Sequence, residues 1–246
     1  MTADKAPEPG VAAGARVLEL VAVMDRLRRE CPWDRRQTHS SLAPYLLEEC
    51  YEALDALERG DLAALREELG DVLLQVVFHA RLAAERTDGT GWTIDDVADG
   101  IVAKLIRRHP HVFSDVAVAG ADEVSVNWET IKAAERAEKA ASRAAAGDGA
   151  GDGAAASALD GVALGQPALS LTTQLQRRAE RAGAPGALEG GAPGVSEIGA
   201  DLFALVARAR EAGADPEFEL RAAARAYRDQ VLAWERDQPQ EPREIS

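Results

Sequence analysis

The stretch LLEECYEALDALERGDLAALREELGDVLLQVVF, Leu46 to Phe78, decides the fold. It holds two runs of helical periodicity joined by a turn at Arg59-Gly60-Asp61, with Asp61 placed to cap the second helix. Glu49 and Glu52 stand three apart on the first helix, Glu68 and Asp71 three apart on the second, so each pair shares a helix face. The pairs mirror one another about the turn. Glu52 and Glu68 each lie eight residues from Gly60, and Glu49 and Asp71 each lie eleven from it. With a rise of about 1.5 Å per residue, an antiparallel hairpin sets both pairs roughly 12 to 16 Å from the turn. Four carboxylates converge.

The neighbours make that convergence costly. Leu42, Leu46, Ala53 and Leu57 form an apolar stripe that includes the position of Glu49; Leu65, Leu69, Val72 and Val76 form a facing stripe edged by Glu68 and Asp71. Two like charges 5 Å apart at an effective dielectric of about 20 repel by roughly 3 kcal/mol. Several such pairs would consume much of the ~5–15 kcal/mol that stabilises a domain, so a cation is expected among them. A solvated charged face is the plain alternative for any single glutamate, but it fits the mirrored quartet poorly. All the donors are oxygens, which suit Mg²⁺, with Mn²⁺ as a substitute. A di-iron carboxylate centre would require Glu-x-x-His, and the position three after Glu49 is Glu and three after Glu68 is Asp. Mg²⁺ on a few carboxylates completes its shell with water and substrate phosphates, which points to phosphate chemistry.

Composition agrees with helices. Of 246 residues, 46% are hydrophobic but only 4% aromatic, with Ala and Leu dominant, which predicts an all-α protein. The formal net charge of −14 argues against a general nucleic-acid or anionic-membrane surface. Two cysteines give no disulfide framework and fit a reducing cytoplasm. No apolar run approaches the ~20 residues that span a bilayer. Residues 1–15 begin MTADKAPEPG and read as a disordered tail without a signal-peptide core.

A first helix is expected over residues 16–29, ending before Cys31-Pro32 because a residue preceding proline disfavours the α region. CPWDRRQTHS then reads as a compact loop, with Trp33 as a packing anchor, Thr38 or Ser40 as the next helix cap, Cys31 structural, and Asp34 and Arg35 as weaker site residues. The second hairpin helix is expected to run to about Arg86, with His79 at the edge of the core. Thr93-Ile94-Asp95-Asp96 has the form of a capping box opening a helix that Pro110 stops, with Val97, Ile101 and Leu105 on its apolar face. Lys104, Arg107 and Arg108 project together from that helix. They either complement its C-terminal dipole or clamp phosphate oxygens. Residues 122–139 read as a further helix carrying Trp128 and Lys132, and 140–158 as a small, polar linker.

Glu48-Glu49-Cys50-Tyr51-Glu52 followed by Glu68-Leu69-Gly70-Asp71 resembles the EExxE…ExxD signature of MazG-type nucleoside triphosphate pyrophosphohydrolases. The resemblance extends through Cys31-Pro32-Trp33-Asp34, Gln37-Thr38-His39, the run from Lys104 to Phe113, and Asn127-Trp128-Glu129. It is strong over residues 16–140 and weaker over 159–236. It implies a MazG-like helical bundle over 16–139 that hydrolyses an NTP or dNTP to its monophosphate and pyrophosphate. Glu49, Glu52, Glu68 and Asp71 would hold Mg²⁺, with Glu48 as base or support. Lys104, Arg107 and Arg108 would meet phosphates, and two subunits would form a homodimer. Trp128 reads as a core residue or, by the resemblance, as one near the nucleotide, and Lys132, one turn later, is within reach of a phosphate.

The second half carries a degenerate copy. Glu197-Ile198-Gly199-Ala200-Asp201-Leu202-Phe203 matches Glu68 to Leu74, but Ala200 stands where the second acid belongs. GAPGALEGGAPG replaces the EExxE helix, and Ala226, Asp229 and Gln230 replace Lys104, Arg107 and Arg108 in register. The expected organisation is therefore an intact first copy and a truncated second copy over 159–236, followed by a tail over 237–246. Decay of this kind keeps one alternative open: a catalytically inactive scaffold that binds nucleotide or a protein.

Overall fold

The computed structural model describes residues 14–114, 120, 124, 130–131, 134–135, 138, 157–184 and 193–237. Among these residues every regular element is helical, so the protein is all-α. The expected N-terminal tail and linker, most of the helix expected over 122–139, and nearly all of the C-terminal tail lie outside them. The chain divides into two compact units, Met1–Glu129 and Thr130–Ser246.

The first unit contains α1 (Ala15–Glu30), a 3₁₀ turn (Asp34–Arg36), α2 (His39–Arg59), α3 (Leu62–Ala83), α4 (Ile94–Arg108) and the short α5 (Pro110–Phe113). Local chemistry sets these bounds. Thr38 accepts from the Ser41 N–H at 3.1 Å while Ser41 Oγ accepts from the Thr38 N–H at 2.9 Å, a reciprocal cap. Thr93 and Asp96 make the corresponding box for α4. Asp61 accepts from the N–H groups of Ala63 and Ala64 at 3.1 and 3.0 Å. Gly60, at φ 69°, takes the left-handed conformation that ends α2 and lets the chain reverse within two residues. The helix α3 stops at Ala83, slightly before the expected Arg86; the chain continues through turn bonds from Glu85 N–H to Leu82 O and Arg86 N–H to Ala83 O.

The most extensive packing in the unit is α2 against α3, the hairpin foreseen from the mirrored acids. Its core joins Met24 of α1, Leu42 of α2, and Val77, Phe78 and Leu82 of α3, with Leu20, Val21, Leu74 and Ile94 packed around them. The facing stripes need correction. Leu57 and Leu69 are exposed, because the buried side of α3 is the one turned to α1 as well as α2. The apolar face of α4 is not covered either: Val97, Ile101 and Leu105 are 36%, 46% and 44% exposed.

One arginine fastens the entry loop. Arg28 is only 12% exposed and grips Glu85 with two bonds, Nε to Oε1 at 2.8 Å and Nη2 to Oε2 at 2.9 Å. Its remaining nitrogen donates to the carbonyls of Asp34 and, at 3.1 Å, Gln37. Arg81 extends the network to Asp25 at 2.9 Å and Glu85 at 3.0 Å, joining α1 to α3. Trp33, expected as the loop's packing anchor, is instead 45% exposed and meets Tyr45 edge-on, while Asp34 is the buried member of the loop.

The second unit contains α6 (Ala168–Arg181), α7 (Glu197–Glu211) and α8 (Pro216–Asp237). Gln176 is buried on α6, where its amide donates to Phe203 O at 2.9 Å and its carbonyl accepts from Arg210 at 3.2 Å. Arg210 also pairs with Glu180 at 2.6 Å.

Candidate active site

The hairpin brings Glu49, Glu68 and Asp71 together: one carboxylate oxygen of each lies within 4.8 Å of the others, and all three side chains are half-buried. Glu52, one turn along α2, lies outside that trio but remains coupled to it, since the Glu68 carboxyl, when protonated, donates to Glu52. Glu48 is exposed on the neighbouring face and adds to the negative field on Glu49.

The electrostatics run one way. Burial, then Asp71, Glu52, Glu48 and Glu68, all push the Glu49 carboxyl above its ordinary range. Glu68 is pushed up by burial, then by Glu52, Asp71 and Glu67. Each shift means that the ionised form is disfavoured where it stands. Neighbouring oxygens on an octahedral Mg²⁺ stand about 3 Å apart, so the trio would draw in by up to roughly 2 Å to share an ion. The donor chemistry fits a hard divalent cation, and such a charge would offset the burial and mutual repulsion that raise these two carboxyls.

The start of α4 meets the core through Ile94, and Val97 shares a cavity wall with Val76 of α3. Lys104 and Arg108 are half-buried and Arg107 is exposed. Trp128 and Lys132 lie outside the described residues.

Two features of the first unit leave no signal in the sequence. The Arg28–Glu85 clamp joins residues 57 apart, and no periodicity reports such a pair. A ring cluster of His39, His79 and Trp92 likewise draws on three separate segments. His79 is half-buried, at the edge of the core as expected.

The fold and the cluster define a class: an all-helical protein with an acidic hairpin site suited to a divalent ion. The comparisons supply the family. Residues 37–113, which span the loop, the hairpin and the basic helix, match the MazG nucleotide pyrophosphohydrolase domain. A nucleoside triphosphate pyrophosphohydrolase/pyrophosphatase MazG of Thermotoga maritima is 38% identical over 87% of this chain and 84% of its own length. An uncharacterised protein of Streptomyces cacaoi is 46% identical over 90% of this chain and 84% of its own. A nucleoside triphosphate pyrophosphohydrolase of Mycolicibacterium smegmatis is 42% identical over 92% of this chain, which spans 60% of that relative. This chain belongs to the MazG family of nucleoside triphosphate pyrophosphohydrolases.

Proposed function

We propose that this protein hydrolyses nucleoside and deoxynucleoside triphosphates to monophosphate and pyrophosphate with Mg²⁺, as a clearance activity on the nucleotide pool. The observation that carries the reading is the carboxylate trio, in which the described influences on Glu49 and Glu68 all favour their neutral forms. Glu49, Glu52, Glu68 and Asp71 would hold the ion. When bound, it would offset phosphate charge and acidify a water molecule.

The chain's own groups supply the rest. In the hydrolysis, a water oxygen bonds to the α-phosphorus, the bond to the bridging oxygen breaks, and pyrophosphate leaves with that oxygen. Glu48, beside the ligands and exposed, takes the water's proton or orients the residues that do. Lys104, Arg107 and Arg108 hold the leaving pyrophosphate, whose charge grows as the bond breaks. Trp128 is assigned to the nucleotide by family resemblance, and Lys132, one turn after it in sequence, to a phosphate.

The working form is a homodimer in this reading. Support comes from the apolar face of α4, which is left uncovered within one chain. Among the described residues no helix is long and apolar enough to cross a membrane, and both cysteines are free; we place the protein in the reducing cytoplasm.

The deciding experiment measures pyrophosphate release from normal and modified NTPs and dNTPs, with Mg²⁺, with Mn²⁺ and with chelator. Activity is expected only with a divalent ion and is expected to vanish in Glu49→Gln. Nucleotide binding without release under every condition would favour the inactive scaffold instead.

A further inference from the structure

An open cavity of about 320 Å³ lies along the same hairpin and has no part in the phosphate chemistry above. Its walls are His39 and Leu46 of α2, Val76 and His79 of α3, Trp92 from the segment before α4, and Val97 of α4. The wall is built from rings. The His39 and His79 imidazoles lie edge to edge in nearly one plane, centres 5.0 Å apart and 7° between planes, and the Trp92 ring stands 6.4 Å from His39 at 28°. His39 Nδ1 and His79 Nδ1 are 2.7 Å apart, a hydrogen bond in which one ring donates and the other accepts. The pair therefore carries at most one proton beyond neutrality. Burial, and secondarily His39, lowers the pKa of His79, which keeps that ring uncharged near neutral pH. Among the described residues no carboxylate, ammonium or guanidinium lines the space.

An aromatic, aliphatic and largely uncharged cavity is poor ground for a phosphate and good ground for a flat heterocycle. Its position agrees. Leu46 precedes Glu49 by three residues and Val76 follows Asp71 by five, so the cavity begins roughly 5 to 8 Å of helix rise from the carboxylates. One pentose spans that interval. We propose that the cavity walled by His39, His79 and Trp92 seats the nucleobase of the substrate, an assignment that rests on triphosphate hydrolysis at the neighbouring acids. Trp92 is the stacking platform, and Leu46, Val76 and Val97 form the apolar surround that selects among bases by shape.

The test compares the unmodified chain with Trp92→Ala, Trp92→Phe and His79→Leu. Pyrophosphate release from NTPs gives KM and kcat, and inorganic tripolyphosphate, which has no base, serves as a competitive inhibitor. Removing a stacking ring is expected to raise KM for NTPs on the order of tenfold. Trp92→Phe should restore most of that loss, with the tripolyphosphate inhibition constant unchanged throughout. Ribose 5-triphosphate should be a correspondingly poor substrate of the unmodified chain, a result that needs no variant to fold.

Equal kcat/KM for ribose triphosphate and NTPs would overturn the assignment. So would parallel changes in KM and tripolyphosphate inhibition, or a variant that alters only the mass of the assembly, which would place a second copy's side chains in the cavity. If the unmodified chain cleaves no nucleotide at all, it is the functional reading that fails. Quenching of tryptophan fluorescence by free nucleosides, absent in Trp92→Phe, then decides the cavity by itself: quenching supports a base site, and its absence removes it.

Discussion

Glu49 shows how a single side chain can be at odds with its surroundings and still belong there. It falls on the stripe of α2 that faces α3, half-buried, with Asp71 and Glu68 within 4.8 Å. A helix that needed only stability would place Leu or Ala at such a position. The conflict identifies the residue as functional, because local rules are broken where chemistry requires it. It also gives a stability prediction separate from catalysis. In chelator, Glu49→Gln should melt above the unmodified protein, since one of the mutually repelling charges is gone. With Mg²⁺ the order should reverse, because the unmodified site gains a ligand-dependent increment that the variant has weakened. Thermal melts with and without the ion read both signs, and a variant that melts lower in chelator would show that solvent already relieves the carboxylates.

At the scale of elements, the hairpin was legible because everything that builds it is local. Thr38, Asp61 and Thr93 cap where their spacing places them, and Gly60 ends α2 in the left-handed conformation. What the sequence did not disclose was how the elements are tied together. Trp33 is the largest side chain of the entry loop and reads as its anchor, yet the loop is held by its carbonyls, through Arg28, which also grips Glu85 just past the end of α3. A backbone acceptor has no residue identity to read. Arg28→Ala should therefore cost about 1–3 kcal/mol in urea unfolding, and Arg28→Lys an intermediate amount, because an ammonium cannot reproduce the two-point grip. The pH dependence has a definite sign. The Glu85 carboxyl is held below its ordinary range, first by its hydrogen bond to Arg28. A carboxyl with a depressed folded-state pKa contributes stability that is complete above its unfolded value, about 4.3, and fades as pH falls through the folded one. The gap between the unmodified protein and Arg28→Ala should narrow over that acid range. A gap independent of pH would assign the loss to the carbonyl bonds alone.

Across the whole molecule, we propose that the second unit is a degenerate copy of the first that has lost its chemistry. Glu197 begins the α7 segment that matches Glu68 onward, but Ala200 stands where Asp71 has its counterpart, and the segment matching the EExxE helix is rich in Gly and Pro. What the second unit retains is a packing device: Arg210 lies in register with Arg81, and like it makes a pair to a neighbouring helix, here with Glu180 on α6. Ion pairs and buried amides can outlast a site, because losing one partner strands the other in the interior, whereas losing a metal ligand relieves repulsion. On this reading the second unit supports the protein without catalysing, and its remaining acid is a relic. In the full-length chain Glu197→Gln should leave kcat/KM for nucleoside triphosphates unchanged, while Glu68→Gln, its counterpart in the first unit, should abolish pyrophosphate release. Steady-state assays of the two variants side by side, each checked by its thermal melt, make the comparison. Loss of activity in a well-folded Glu197→Gln would mean that the second unit shares in the reaction, and that one carboxylate without its partner still serves there.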